Sequence, residues 1–351
     1  MDAQVSQDST ALAPTQANRR VIYAATLLLV IVGSLLVYKG TAALAVIAKV
    51  QNTGAFVPRT NVVPIPGNAA QVNIVARSAN YFLVIWPALL FGILISGAVR
   101  VLVPPRWLGR ALGGGRVRPQ LVAGLAGAPL MLCSCCAAPV FAGLYERSSR
   151  LGPSLAVMLA APALNPAALI LTFMLFEHRI AFTRLAMAGV AVFLTGILID
   201  KLFTLRPVDC PTSDEEGERP VLTTFLRSCL QMAVRTLPLI AVGVLISMAV
   251  ALWLPVGALA STGGQTVAII VVALIAIPLA MPTFFEIPLA LILLSAGAPA
   301  GAAVAMMIAG PAVNLPSLFT IARSTNWKVA ASVALTIFAL AVAGGILVSL
   351  V

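Results

Sequence analysis

Residues 152–169 read GPSLAVMLAAPALNPAAL, and residues 301–318 read GAAVAMMIAGPAVNLPSL. At an offset of 149, and with no gap, Gly152 falls on Gly301, Pro162 on Pro311 and Asn165 on Asn314. The same offset runs outward. Pro129 meets Pro278, Pro139 meets Pro288, and Gly196-Ile197-Leu198 meets Gly345-Ile346-Leu347. Upstream, an offset of 151 lays Pro87 and Gly92-Ile93-Leu94-Ile95-Ser96 over Pro238 and Gly243-Val244-Leu245-Ile246-Ser247, and Pro104 over Pro255. An apolar chain matches many Ala and Leu by chance, but chance does not align prolines and an Asn over so long a stretch. The chain therefore reads as two related halves, 78–202 and 225–351.

Composition says what solvent these halves use. Of 351 residues, 60% are apolar and 9% charged, with a mean hydropathy of +1.04. Soluble domains carry about 25% charged residues, so this surface is built for lipid. A soluble enzyme, a nucleic-acid module and a secreted disulfide scaffold are excluded. The net charge of +11 reads as the Lys/Arg bias of membrane topology. It does not read as nucleic-acid binding, because aromatics are few and not interleaved with the basic residues.

Nine apolar segments recur, at 21–38, 78–103, 120–146, 151–176, 180–202, 225–253, 266–295, 299–322 and 329–351. Their Ala, Leu, Val and Gly content suits packed helices, giving an all-α polytopic membrane protein with broken helices or re-entrant hairpins. The expected organisation is a polar N-terminal tail (1–20), an extra span (21–38), an external loop with Pro58, Pro64 and Pro66 (39–77), the first repeat, a charged loop (203–224) and the second repeat. The loop at 203–224 holds Asp209, Asp214, Glu215, Glu216 and Glu218. The segment after Arg19-Arg20 is long for a signal peptide and reads as a retained span.

The orientation of the halves depends on 120–146 and 266–295. If both cross the membrane, the halves are parallel. If both are re-entrant hairpins, each half crosses three times and the halves are inverted. With Arg235 set aside as intramembrane, 21 Lys and Arg remain. The hairpin arrangement puts 15 of these inside and six outside, whereas the all-crossing one splits them 11 and 10. The positive-inside rule favours hairpins and inverted halves. Repeats with interrupted helices are the architecture of secondary transporters, which expects transport rather than catalysis.

The chemistry concentrates in the interrupted segments. The first runs from Pro129 to Pro139 through Cys133, Ser134, Cys135 and Cys136. Thiolates are soft ligands for soft metals and metalloids. Cys133 and Cys136 share a face if the segment is helical, Cys133 and Cys135 if it is extended. The Cys-x-x-Cys spacing also fits redox work, although the matching positions of the second half hold no thiols. The second segment carries Pro282, Thr283, Glu286 and Pro288. Glu286 is an acidic residue deep in a span and a functional candidate by default. Arg235, on the preceding span, is its expected partner and a second coupling or gating candidate. It is also a possible charge source beside the thiols. Asn165 and Asn314 sit among prolines, where an amide satisfies freed backbone or contacts substrate. Pseudo-symmetry would bring both hairpin tips and both Asn breaks together near the midplane.

Other motifs carry less. The basic glycine loop 110–118 lacks a Walker A ending, and no cofactor is expected. His178, Cys210 and Cys229 receive no role.

The stretches LCSCCAAPVFAGL (132–144), GPSLAVMLAAPALNPAAL (152–169) and MPTFFEIPLALILLSAGAPAGAAVAMMIAGPAVNLPSL (281–318) resemble the predicted permeases that include the organoarsenical efflux permeases. The resemblance implies a multi-pass inner-membrane protein. Its characterised members export trivalent organoarsenicals, and related members are linked to other metal ions. It places Cys133 and Cys135 at the family's thiol positions, and Cys136 where many members have Gly. The expectation is an efflux permease for a thiol-reactive metalloid, with Cys133, Ser134, Cys135, Cys136, Asn165, Thr283 and Asn314 near the substrate. Permeation of a divalent metal or a sulfur compound, or a membrane thiol–disulfide carrier, are the alternatives. Partners would be the bilayer and the solute; a separate ATPase subunit and a homo-oligomer stay open.

Overall fold

The computed structural model describes residues 14–56, 74–103, 108, 115, 117–148, 150–203, 221–252 and 264–350. Among them are thirteen α-helices and no strand: α1 Pro14–Thr53, α2 Ile74–Leu102, α3 Val117–Gly127, α4 Ser134–Ser148, α5 Leu151–Ala163, α6 Pro166–Leu175, α7 His178–Leu202, α8 Val221–Leu252, α9 Gln265–Ala276, α10 Glu286–Ser295, α11 Ala300–Ala312, α12 Leu315–Ser324 and α13 Trp327–Leu350. An all-helical answer follows from the solvent, since lipid supplies no partners for backbone N–H and C=O groups. The acidic loop at 209–218, Cys210, the prolines of the external loop and most of the basic glycine loop lie outside the described residues.

Six helical stretches are long and apolar enough to cross a membrane: Ala25–Thr53, Ile74–Leu102, Leu151–Leu175, His178–Leu202, Leu222–Val250 and Trp327–Leu350. The pair α11–α12, bent by 43° at its break, makes a seventh among the described residues if it is counted as one span. The interrupted segments behave differently. Helices α3, α4, α9 and α10 have 11, 15, 12 and 10 residues. At 1.5 Å per residue they span about 15–22 Å, short of the ~30 Å hydrocarbon core.

One boundary differs from the sequence expectation. The external loop was expected from residue 39, whereas α1 is helical through Thr53, and its helix also takes in residues 14–20 of the expected polar tail. The apolar run continues past Lys39 as Thr41–Val50, broken only by Lys49. A lysine interrupts a hydropathy reading more than it interrupts a helix, because its stem is apolar and its head reaches away.

The core is α5 and α11, which pack on each other. All thirteen residues of α5 are buried, as are residues 301–312 of α11. Around them, helices at matching positions pair: α2 with α8, and α7 with α13. Likewise α4 packs on α12 and α10 on α6. Within each half the same crossing recurs. A Cβ on Gly152 would lie 2.6 Å from the Gly196 carbonyl oxygen, and one on Gly301 would lie 2.4 Å from that of Gly345. Both crossings need glycine so that the backbones can touch.

Candidate functional site

The first interrupted segment gathers its thiols. Helix α3 gives way to a 3-10 turn at Ala128–Leu130, and Met131 then takes a left-handed conformation at φ 50°. This region is strained for a residue with a side chain, and it interrupts the helical backbone before α4 begins. The Cys133 carbonyl accepts from the amides of Cys136 (3.0 Å) and Ala137 (2.9 Å), so Cys133 caps α4. Capping turns its side chain back over the first turn. The sulfur of Cys133 lies 3.1 Å from that of Cys135 and 2.7 Å from that of Cys136, and the latter two are 3.9 Å apart. All three thiols are free and buried. Neither of the two face-sharing geometries holds alone: a cap followed by a helical turn joins all three. Ser134, the first residue of α4, is buried beside them.

Helix α2 supplies a second layer of contacts. The Tyr81 hydroxyl lies 3.2 Å from the Cys135 sulfur, and the Ile85 carbonyl 4.0 Å from that of Cys136. A Cβ on Gly92 would come within 2.2 Å of the Cys136 carbonyl oxygen, so α2 approaches the thiol loop only because residue 92 is glycine. Lys39 of α1 lies within electrostatic reach of Cys133. Arg235, a possible charge source from the sequence, lies beside Glu146 instead.

The second interrupted segment also contains a left-handed residue, Phe284 at φ 74°. Thr283 is half-buried in the same turn and makes no hydrogen bond to the thiols among the described residues. Glu286 opens α10, where the partial positive charge of a helix N-terminus favours a carboxylate. Its partner is not Arg235. Arg184 Nη2 lies 2.9 Å from Glu286 Oε1, with side-chain exposures of 1% and 4%. Arg184 Nη1 also donates to Thr172 Oγ1 and contacts Met307 Sδ at 3.7 Å. The Thr172 hydroxyl spends its proton on the Ala168 carbonyl, which turns a lone pair toward the guanidinium. The cluster joins α6 and α7 of the first half to α10 and α11 of the second. Arg235 is instead 62% exposed and sits 3.5 Å from Glu146, which Arg100 also holds at 2.9 Å.

Arg184 was missed because it follows Arg179 closely and was counted as a flanking basic residue. The signal was nonetheless present. Ala181, Arg184, Ala188, Ala191 and Thr195 recur at helical spacing, so the arginine lies on the buried stripe of α7.

Asn165 and Asn314 cap α6 and α12 across the two proline-bracketed breaks. Asn165 Oδ1 accepts from the amides of Ala167 (3.1 Å) and Ala168 (3.4 Å). Asn314 Oδ1 accepts from Ser317 N (3.0 Å), and Ser317 Oγ accepts from Asn314 N (3.0 Å), completing a capping box. Both residues are fully buried, and both Nδ2 groups lack a partner among the described residues. The thiol triangle and the ion pair form two separate centres, with no hydrogen bond or ion pair between them among the described residues.

Residues 70–350 match the ArsP_1 family of predicted permeases. The chain belongs to this family. It is 30% identical to UPF0718 protein YraQ of Escherichia coli K12, over 70% of this chain and 71% of that protein. It is 23% identical to UPF0718 protein MJ0584 of Methanocaldococcus jannaschii, over 67% of this chain and 84% of the relative. UPF0718 protein YcgR of Bacillus subtilis is 28% identical over a shorter region, 33% of this chain. No solved structure matches. The matched region starts after α1, so Lys39 belongs to a helix outside the family's shared segment.

Proposed function

We propose that this membrane permease is a secondary-type exporter, in the inner membrane, of a trivalent, thiol-reactive metalloid such as an organoarsenical, captured by Cys133, Cys135 and Cys136. The observation that carries this reading is the thiol triangle, with three buried sulfurs no more than 3.9 Å apart at a helix break. Sulfur is the ligand type that soft species prefer. Capture of an arsenic(III) dihydroxide balances without a redox partner. Each As–S bond forms as an As–OH bond breaks, and the thiol proton leaves with the hydroxide as water. Release is the reverse step on the other side of the membrane.

In this reading the two halves are inverted, and alternating access rocks one against the other. The Arg184–Glu286 pair bridges them and is placed to report movement of one half to the other. Protonation of Glu286 would remove the charge that holds Arg184. The Nδ2 donors of Asn165 and Asn314 are available to oxygen atoms of a passing solute.

The test is uptake of a trivalent organoarsenical into everted membrane vesicles, with zinc in parallel. Wild type is expected to accumulate the arsenical, and Cys133→Ser/Cys135→Ser to lose accumulation at equal membrane insertion. Equal uptake by the variant would sink thiol capture. Zinc uptake without arsenical uptake would keep the permease and assign it a divalent metal, the second reading that three clustered sulfurs favour.

A further inference from the structure

A polar cavity lies apart from the residues of both centres. It has a volume of about 260 Å³ and sits among α4, α8 and α12. Its wall includes Ala142 and Glu146 of α4, Arg235 and Thr236 of α8, and Thr320 and Arg323 of α12. Two helices end beside it, α4 just past Glu146 and α12 just past Arg323.

The charges do not balance. Glu146 is engaged through both oxygens, Oε2 by Arg100 at 2.9 Å and Oε1 by Arg235 at 3.5 Å. In the cavity wall one carboxylate therefore meets two guanidinium groups, Arg235 and Arg323, while Arg100 takes up its other oxygen from outside the wall. Arg323 has no ion pair among the described residues. A cavity whose wall carries two guanidinium groups against one carboxylate is chemically matched to an oxyanion, because the fork pairs with two oxygens at once. The volume falls just below the ~300 Å³ at which drug-sized pockets begin, which suits a small anionic group.

We infer that this cavity is an oxyanion site, taking a carboxylate or phosphate group onto Arg235 and Arg323 at the basic end of the bundle. It shares α4 with the thiol triangle. Ala142 is six residues beyond Cys136, about 9 Å along the helix. An anion bound here braces the ends of α4 and α12 against the middle of α8. The group can come from a soluble anion or from a lipid headgroup, and both present the same chemistry to the arginines.

The test is the thermal midpoint of the purified full-length protein in phosphatidylcholine nanodiscs. Sodium phosphate and sodium succinate are titrated, with sodium chloride at equal ionic strength as the control. A matched set of nanodiscs contains phosphatidylglycerol and no added anion. Arg323→Gln is the main variant because it breaks no ion pair; Arg323→Lys keeps the charge and loses the fork. A saturable rise in midpoint with phosphate or succinate, weakened about tenfold or more in apparent affinity by Arg323→Gln, supports a soluble anion. A rise only with phosphatidylglycerol, abolished by the same variant, supports the lipid source. The same response in wild type and Arg323→Gln, or none in either, overturns the proposal. Because the readout is binding, failure here is distinguishable from failure of thiol-dependent export.

Discussion

The break at 131–133 and the break at 277–285 occupy matching places in the two halves, yet one gathers three thiols and the other leads into a carboxylate. Both interrupt a helix in an apolar bundle, and both contain a left-handed non-glycine residue. Their surroundings then diverge. The thiols are held within one half and backed by Tyr81 and Gly92 of α2. Glu286 reaches across to Arg184 and Thr172 of the other half. The two breaks share a backbone device and differ in the chemistry beside it. In the proposed function one break holds a soft species and the other senses how the halves sit.

The strongest way to break this contrast is to disarm the second centre. Arg184→Met should cost about 3–5 kcal/mol of stability, because it strands a buried carboxylate. Arg184→Met combined with Glu286→Leu should recover most of that loss. Denaturant unfolding in micelles reads both. Simple additivity of the two single variants would mean that the pair does not work as a unit.

Gly92→Ala tests the packing behind the thiols. Its Cβ would meet the Cys136 carbonyl oxygen at 2.2 Å, so the expected cost is about 1–3 kcal/mol with loss of arsenical binding. Gly189→Ala on α7 has nothing within 4 Å and should change neither stability nor binding. Equal behaviour of the two variants would remove the close α2–α4 contact from the account.

The asparagine caps offer a smaller and symmetric comparison. Asn314→Ala and Asn165→Ala should each cost about 1 kcal/mol. Asn314 should be the costlier, since its capping box also leaves Asn314 N and Ser317 Oγ to be rematched. Thermal midpoints in the same detergent would order them, and the reverse order would show that the box adds nothing. At the weakest end, Cys229→Ser should leave arsenical capture unchanged, because its sulfur packs on Gly97 of α2 and has no contact with the triangle among the described residues. Loss of capture in that variant would extend the site beyond α4.

Much of this molecule was legible from local pattern. Hydropathy is a property of short windows and lipid is an unforgiving solvent, so the all-helical membrane class followed directly from composition. Prolines and glycines act on their own backbone, which is why the breaks near residues 130, 165, 280 and 314 could be placed from their spacing. The crowding of Cys133, Cys135 and Cys136 needed only four consecutive positions. Pairing across the fold was another matter. Whether Glu286 meets Arg235 or Arg184 depends on which helices touch, and both arginines are plausible cations in sequence. The tertiary structure decided it by packing α7 and α10 around α11 and leaving Arg235 beside Glu146. Local chemistry is written residue by residue; the choice of an ionic partner is made by packing over a separation of 102 residues, which no sequence window spans.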